Sequence, residues 1–191
     1  MKQWRASIAY DQNNTIRLAK ALEKSFHWQR RLALFIAGFA MIALGFILGI
    51  QTAFGLAFIV LGCLLITNTD AQARKRARTI ISQLKGYVPQ MRYTFSGKSF
   101  VGETDRESNS FAYDQLIRLM GDGKFLYLFK DKESAFMVDK NTVQPAECPQ
   151  LKERVSAESV LRWIQYGSIL NTGLITLIKQ YGIQGKKKAS R

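Results

Sequence analysis

The stretch from residue 32 to residue 67 carries no charged side chain, and before Thr67 only Gln51 and Thr52 interrupt its apolar character. At about 1.5 Å of rise per residue, residues 32–50 (LALFIAGFAMIALGFILGI) span roughly the 30 Å hydrocarbon core of a bilayer. The second run, Ala53–Thr67 (AFGLAFIVLGCLLIT), is shorter and reaches that length with Gln51, Thr52 and Asn68 included. A soluble helix needs a polar face, and neither run has one. Read as one helix the block would be about 54 Å long and overshoot the bilayer. The sequence therefore predicts a two-helix transmembrane hairpin that turns at residues 49–52.

Charge follows the same plan. The formal net charge is +14. Residues 1–31 hold seven Lys/Arg against two acids, and residues 68–89 hold five against one. Residues 90–150 are nearly balanced, with eight basic and nine acidic side chains, while residues 151–191 hold eight against two. A nucleic-acid-binding domain puts its basic stripe on the folded module. Here the charge flanks the apolar block, which argues against nucleic acid. Lys24, Arg30 and Arg31 precede the first helix, and Arg74, Lys75, Arg76 and Arg78 follow the second. By the positive-inside rule both termini are expected in the cytoplasm of a multi-pass cell-membrane protein. These seven residues, with Lys186, Lys187 and Lys188 of a basic tail over residues 184–191, are expected to contact an anionic inner leaflet.

Five glycines, Gly38, Gly45, Gly49, Gly55 and Gly62, are candidates for close helix packing. Packing inside the hairpin is the simpler use of Gly45-x-x-x-Gly49, and a homodimer is the alternative. Cys63 lies in the apolar block and Cys148 in the polar region, so two unpaired thiols are expected. No cleavable signal peptide is expected, because the apolar run begins only after a long basic segment.

Residues 1–31 are expected to form a cytoplasmic helical arm, with a helix over residues 11–29 and Trp28 and His27 near the interface. Residues 68–89 read as a basic juxtamembrane linker. Beyond Pro89 short alternating runs appear at residues 91–96, 99–104, 110–113, 125–130 and 134–138, separated by turn residues. They predict a small antiparallel sheet. Residues 113–120 (YDQLIRLM) are read as a further strand. Ser156 is expected to cap an amphipathic C-terminal helix starting at Ala157, with Val160, Trp163, Ile164 and Leu170 among its apolar face. That helix packs on the sheet or rests on the membrane.

The segment RYTFSGKSFVGET, followed by SNSFAYDQLIRLMGDGKFLYLFKDKESAFMVDKNTV, resembles the YcxB-like proteins, small membrane proteins found mostly in Gram-positive bacteria. The resemblance rests on aromatic and aliphatic spacings over about residues 90–143, with the anchor similar in layout. It departs at Val138-Asp139-Lys140, where the family often has an apolar residue followed by Pro-Lys. The resemblance implies an α+β membrane protein with a pleckstrin-homology-like (PH-like) domain over residues 90–183, a bent sheet closed at one end by a C-terminal helix. Its expected core includes Phe95, Phe100, Tyr113, Leu116, Leu126, Leu128, Phe136, Val138 and Trp163.

No CxxC, HExxH, GxSxG or Walker-type glycine run is present. His27 is the sole histidine, and Glu103, Asp105, Glu107 and Asp114 fall in or near turns. The chain is therefore expected to have no catalytic residue, metal or cofactor. It reads as a membrane-anchored interaction or regulatory scaffold that binds protein in preference to lipid. A subunit of an oligomeric transport or channel assembly and a tethered lipid-headgroup binder are the alternatives.

Overall fold

A computed structural model describes residues 3–165. The chain is α+β, and two of its helices are long and apolar enough to cross a membrane. The first element corrects the sequence expectation. Trp4–Ala9 is a strand, β1, ahead of the helical arm. Trp4, Ala6 and Ile8 are buried and Arg5 and Ser7 exposed, the two-residue alternation of a strand covered on one face. Six residues containing two alanines are a weak strand signal, and long-range pairing decides the outcome.

Helix α1 (Gln12–Phe26) follows, and the Asp11 side chain caps it by accepting from the Asn14 amide at 2.7 Å. The chain breaks at His27, then continues as α2 (Trp28–Ile47). The turn falls where the sequence places it. Gly49 takes φ +90°, and the Thr52 hydroxyl accepts from the Gly55 amide to cap α3 (Ala53–Thr67). A single 3-10 turn, Asn68–Asp70, joins α3 to α4 (Ala71–Gln83). The expected basic linker is thus largely helical, and residues 53–83 form a nearly continuous rod.

Two four-stranded sheets complete the fold. The first has the order β1-β2-β3-β4, with β2 (Gln90–Ser96), β3 (Ser99–Glu103) and β4 (Ser108–Ala112), all antiparallel. The second has the order β7-β6-β5-β8, with β5 (Arg118–Gly121), β6 (Phe125–Phe129), β7 (Ala135–Asp139) and β8 (Trp163–Gln165). In it β5 and β8 run parallel, so it is mixed rather than purely antiparallel. Only the end of the stretch 113–120 is a strand. Tyr113–Gln115 makes a 3-10 turn that buries the Tyr113 ring.

Strand β1 pairs with β2 in register from Trp4↔Phe95 to Ala9↔Gln90. Everything between, residues 10–89, is an insertion within one antiparallel strand pair. The globular unit is discontinuous, built from residues 4–9 and 90–165. Arg5 also forms a bridge with Gln144, and Tyr10 joins the two sheets: its hydroxyl lies 3.0 Å from that of Tyr93 and accepts from the Met137 amide.

The core lies between the sheets and under α1. All five residues of β6 (FLYLF) are buried. Leu18, Leu22 and Phe26 of α1 pack against the core to which that strand belongs. Phe26 meets Phe129 edge to face at 5.5 Å. Phe100 is fully buried, with Phe95 and Tyr113 stacked on it and Phe136 edge-on at 5.1 Å. Of the nine expected core residues, Phe95, Phe100, Tyr113, Leu116, Leu126, Leu128 and Val138 are buried, while Phe136 and Trp163 are partly exposed.

The C-terminal helix is displaced from its expected position. Helix α5 runs Cys148–Ser159 with Pro149 in its first turn, and it ends at Val160 in the left-handed region (φ 57°). Ser156 does not cap a helix: its hydroxyl donates to the Leu161 carbonyl inside the exit turn. Trp163 consequently sits on β8, and its indole donates to the Lys152 carbonyl at 2.8 Å. The rest of the expected amphipathic helix, residues 166–183, and the basic tail with Lys186, Lys187 and Lys188 lie outside the described residues.

Candidate functional site: the helical hairpin and its charged neck

The hairpin is held by backbone-to-backbone contact. A Cβ added at Gly62 would lie 2.6 Å from the Gly38 carbonyl oxygen, and one at Gly45 would lie 2.6 Å from the Gly55 carbonyl oxygen. Gly38, Gly45, Gly55 and Gly62 are all buried for this reason. Gly49 has a different use, since its positive φ makes the turn. Gly45 of the Gly45-x-x-x-Gly49 motif is accordingly used inside the hairpin, and Gly49 in its turn.

Outward, α2 and α3 present apolar side chains. Ile36, Phe39, Ile47 and Phe54 are 61%, 62%, 79% and 77% exposed. Only 11% of the apolar stretch of each rod is buried. A core helix of a soluble protein would be mostly covered, because exposing such side chains to water costs about 25 cal/mol per Å2. This surface is suited to lipid.

Between hairpin and sheets stands a short neck in which α1 lies against α4. Ala19 meets Ala73 and Ala77, with Ile16 and Ile81 flanking, so small residues again set a close approach. Both helical rods are interrupted at the hairpin end of this neck, one at His27 and the other at Asn68–Asp70. The polar side chains there satisfy the end of α3: the Asn68 amide and the Thr67 hydroxyl donate to the Leu64 and Cys63 carbonyls.

Two cations meet on one carboxylate at this level. Arg31 of α2 contacts Asp70 at 3.0 Å, and Lys20 of α1 contacts it at 3.7 Å. The side chains of Arg31 and Asp70 are only 15% and 23% exposed. Lys24 stands in the same field. Its ammonium pKa is pushed below the usual lysine value, first by partial burial and then by the neighbouring Arg31 charge, with Asp70 pulling the other way. Arg30, Arg74, Lys75, Arg76 and Arg78 are exposed around the neck. Among the described residues no ion pair engages Arg74, Lys75, Arg76 or Arg78, and α4 contains no acidic residue. The sequence places the basic flanks here but passes over Asp70, the only acid between Glu23 and Glu103. A lone carboxylate where an apolar block gives way to a basic run was the available signal.

The sheets are tied to the neck through Arg118 of β5. Its guanidinium donates to the Ser25 hydroxyl at 2.8 Å and to the Ser25 carbonyl, and it lies over the Phe26 ring at 4.7 Å. The acids near the turns are exposed: Glu103, Asp105, Glu107 and Asp114 all face solvent, and Asp105 accepts from the Tyr87 hydroxyl. Among the described residues no group of three or more His, Cys, Asp or Glu side chains converges as a metal site. Cys63 and Cys148 are unpaired thiols.

No family model matches the sequence, and neither a curated protein nor a solved structure matches the chain.

Proposed function

We propose that this chain is a membrane-anchored, non-catalytic interaction or regulatory module that presents its sheet domain at the inner leaflet of a cell membrane. The observation that carries the reading is the insertion of an exposed apolar hairpin between two paired strands. Since β1 and β2 belong to one sheet, both ends of the hairpin must emerge on the same side of any bilayer it crosses. The basic residues sit at those ends and the 49–52 turn has none, so the positive-inside rule favours the cytoplasmic side. The resemblance to YcxB-like proteins supports the same arrangement.

The domain is read as binding protein rather than lipid. Residues 90–150 are close to neutral, which disfavours headgroup capture by the sheets themselves. Strand β4 ends its sheet, and Ser108, Asn109 and Ser110 on it are exposed, a polar edge suited to strand addition.

Topology tests the proposal directly. In a chain lacking its native thiols, Glu133→Cys on the β6–β7 turn and Gln51→Cys on the helical turn are labelled with a membrane-impermeant maleimide in intact cells. Labelling of Gln51→Cys in intact cells, and of Glu133→Cys only after permeabilisation, is the expected pattern. The reverse pattern overturns the orientation, and extraction of the protein by alkaline carbonate overturns the anchor.

A further inference from the structure

We infer that Arg74, Lys75 and Arg78 of α4 form a docking stripe for an acidic segment of a partner protein, held just beyond the headgroups of the leaflet facing the domain. The inference rests on the membrane reading above and gives its interaction module a kind of partner.

The stripe follows from helical spacing. At 3.6 residues per turn, Arg74 and Arg78 lie one turn apart on the same side and Lys75 lies beside them, all within about 100° of arc. Ala73 and Ala77, which pack on α1, fall on the opposite side of the helix. Arg74, Lys75 and Arg78 are all exposed. Like charges one turn apart weaken a helix. The pattern therefore does nothing for α4 itself, which is held by its alanine seam.

This chain offers the stripe no counter-charge. Helix α4 contains no acidic residue, and among the described residues none of the three cations makes an ion pair. Residues 1–2 and 166–191 contain no Asp or Glu, so side chains there cannot neutralise it either. A second copy brings little, since residues 90–150 hold eight basic side chains against nine acidic ones. The complementary charge has to come from another molecule.

Height selects that molecule. Helices α3 and α4 form a nearly continuous rod over Ala53–Gln83, so with α3 across a bilayer α4 stands away from its surface. At about 1.5 Å per residue, Arg74 lies roughly 10 Å past Thr67, where the apolar run ends, and Arg78 roughly 16 Å past it. The headgroup region of one leaflet is only about 5–8 Å deep. Lipid phosphates therefore reach only the foot of the stripe, and its upper part is left to solvent. An anionic leaflet this close also repels a nucleic-acid duplex, whose negative charge is dense along its whole length. A protein can present a few carboxylates on an otherwise uncharged segment, and the planar donors of arginine suit them.

The test uses the full chain in phosphatidylcholine nanodiscs, with a fluorescein-labelled hexaglutamate peptide whose binding is read by anisotropy. Arg74→Gln/Arg78→Gln should weaken that binding about tenfold. Lys98→Gln/Lys132→Gln makes the same change in net charge on exposed turns of the sheets and should alter it by less than about twofold. Equal loss in the two double variants, or none in the first, refutes the stripe. Loss seen only when a short DNA duplex replaces the peptide assigns the stripe to nucleic acid and overturns the acidic segment. In a chain lacking its native thiols, a spin label at Ser82→Cys should be relaxed only weakly by a nickel chelate carried on lipid headgroups. Strong relaxation would lay α4 along the leaflet and make lipid the occupant. Failure of the chain to enter nanodiscs sinks the membrane reading instead, and the same peptide comparison in detergent micelles then still decides the stripe.

Discussion

Adding one methyl group at Gly62 should loosen the hairpin. Its Cβ would stand 2.6 Å from the Gly38 carbonyl oxygen and 2.7 Å from Ile42 Cγ1. Ordinary contact begins near 3.4 Å, so α2 and α3 must part by roughly 0.8 Å. The oxygen belongs to helical backbone and cannot rotate away. A gap of about 0.5–1 Å forfeits a quarter to a half of the dispersion attraction of each contact along the seam. Overpacking of this kind costs about 1–3 kcal/mol. The assay is unfolding of the full chain in mixed micelles as sodium dodecyl sulfate replaces a mild detergent, followed by far-ultraviolet circular dichroism. Gly62→Ala should shift the midpoint to lower dodecyl sulfate. Gly123→Ala is the control, since nothing lies within 4 Å of its added Cβ and its φ is not in the left-handed range. Equal midpoints for wild type and both variants would refute the close-packed seam.

Removing residues 1–9 takes β1 from its sheet and Trp4, Ala6 and Ile8 from the core; limited proteolysis should then degrade the domain that the full chain protects. Phe100→Ala empties the centre of the aromatic cluster and should cost about 3–5 kcal/mol, read by chemical denaturation of the domain. Alkaline pH should unfold the domain through its tyrosines. Burial raises the pKa of Tyr10, Tyr93 and Tyr113 above the ordinary value near 10. Below pH 10 both states keep these protons and stability is unaffected; above it the unfolded chain releases protons that the native one holds, so stability falls as pH rises towards the folded values. Absorbance at 295 nm should show these tyrosines ionising together with loss of structure, and ionisation at pH 10 in the intact fold would contradict their burial.

The parts legible in the sequence are those set by local pattern. Helix α3 is found at Ala53–Thr67 as the uncharged run indicates, and β6 and β7 flank the turn in which Asp131 accepts from the amides of Glu133 and Ser134. The elements that were not legible depend on distant partners. Strand β1 has little intrinsic strand character and exists because β2 lies beside it. Trp163 follows a helical spacing, yet the left-handed Val160 turns the chain so that Trp163 pairs with Leu119. At the neck, the basic residues announce themselves by composition. The contacts of Lys20 and Arg31 with Asp70 require α1, α2 and α4 to be placed first.

The insertion of residues 10–89 between β1 and β2 also orders events at synthesis. Strand β1 is synthesised before β2 and must wait, unpaired, until residues 10–89, with both apolar helices, have been made. If only one helix enters the bilayer, the two strands are stranded on opposite faces and the sheet cannot close. On the membrane reading proposed above, a folded domain therefore reports correct insertion, and a chain inserted wrongly would carry an exposed, unpaired strand that quality-control proteases can recognise.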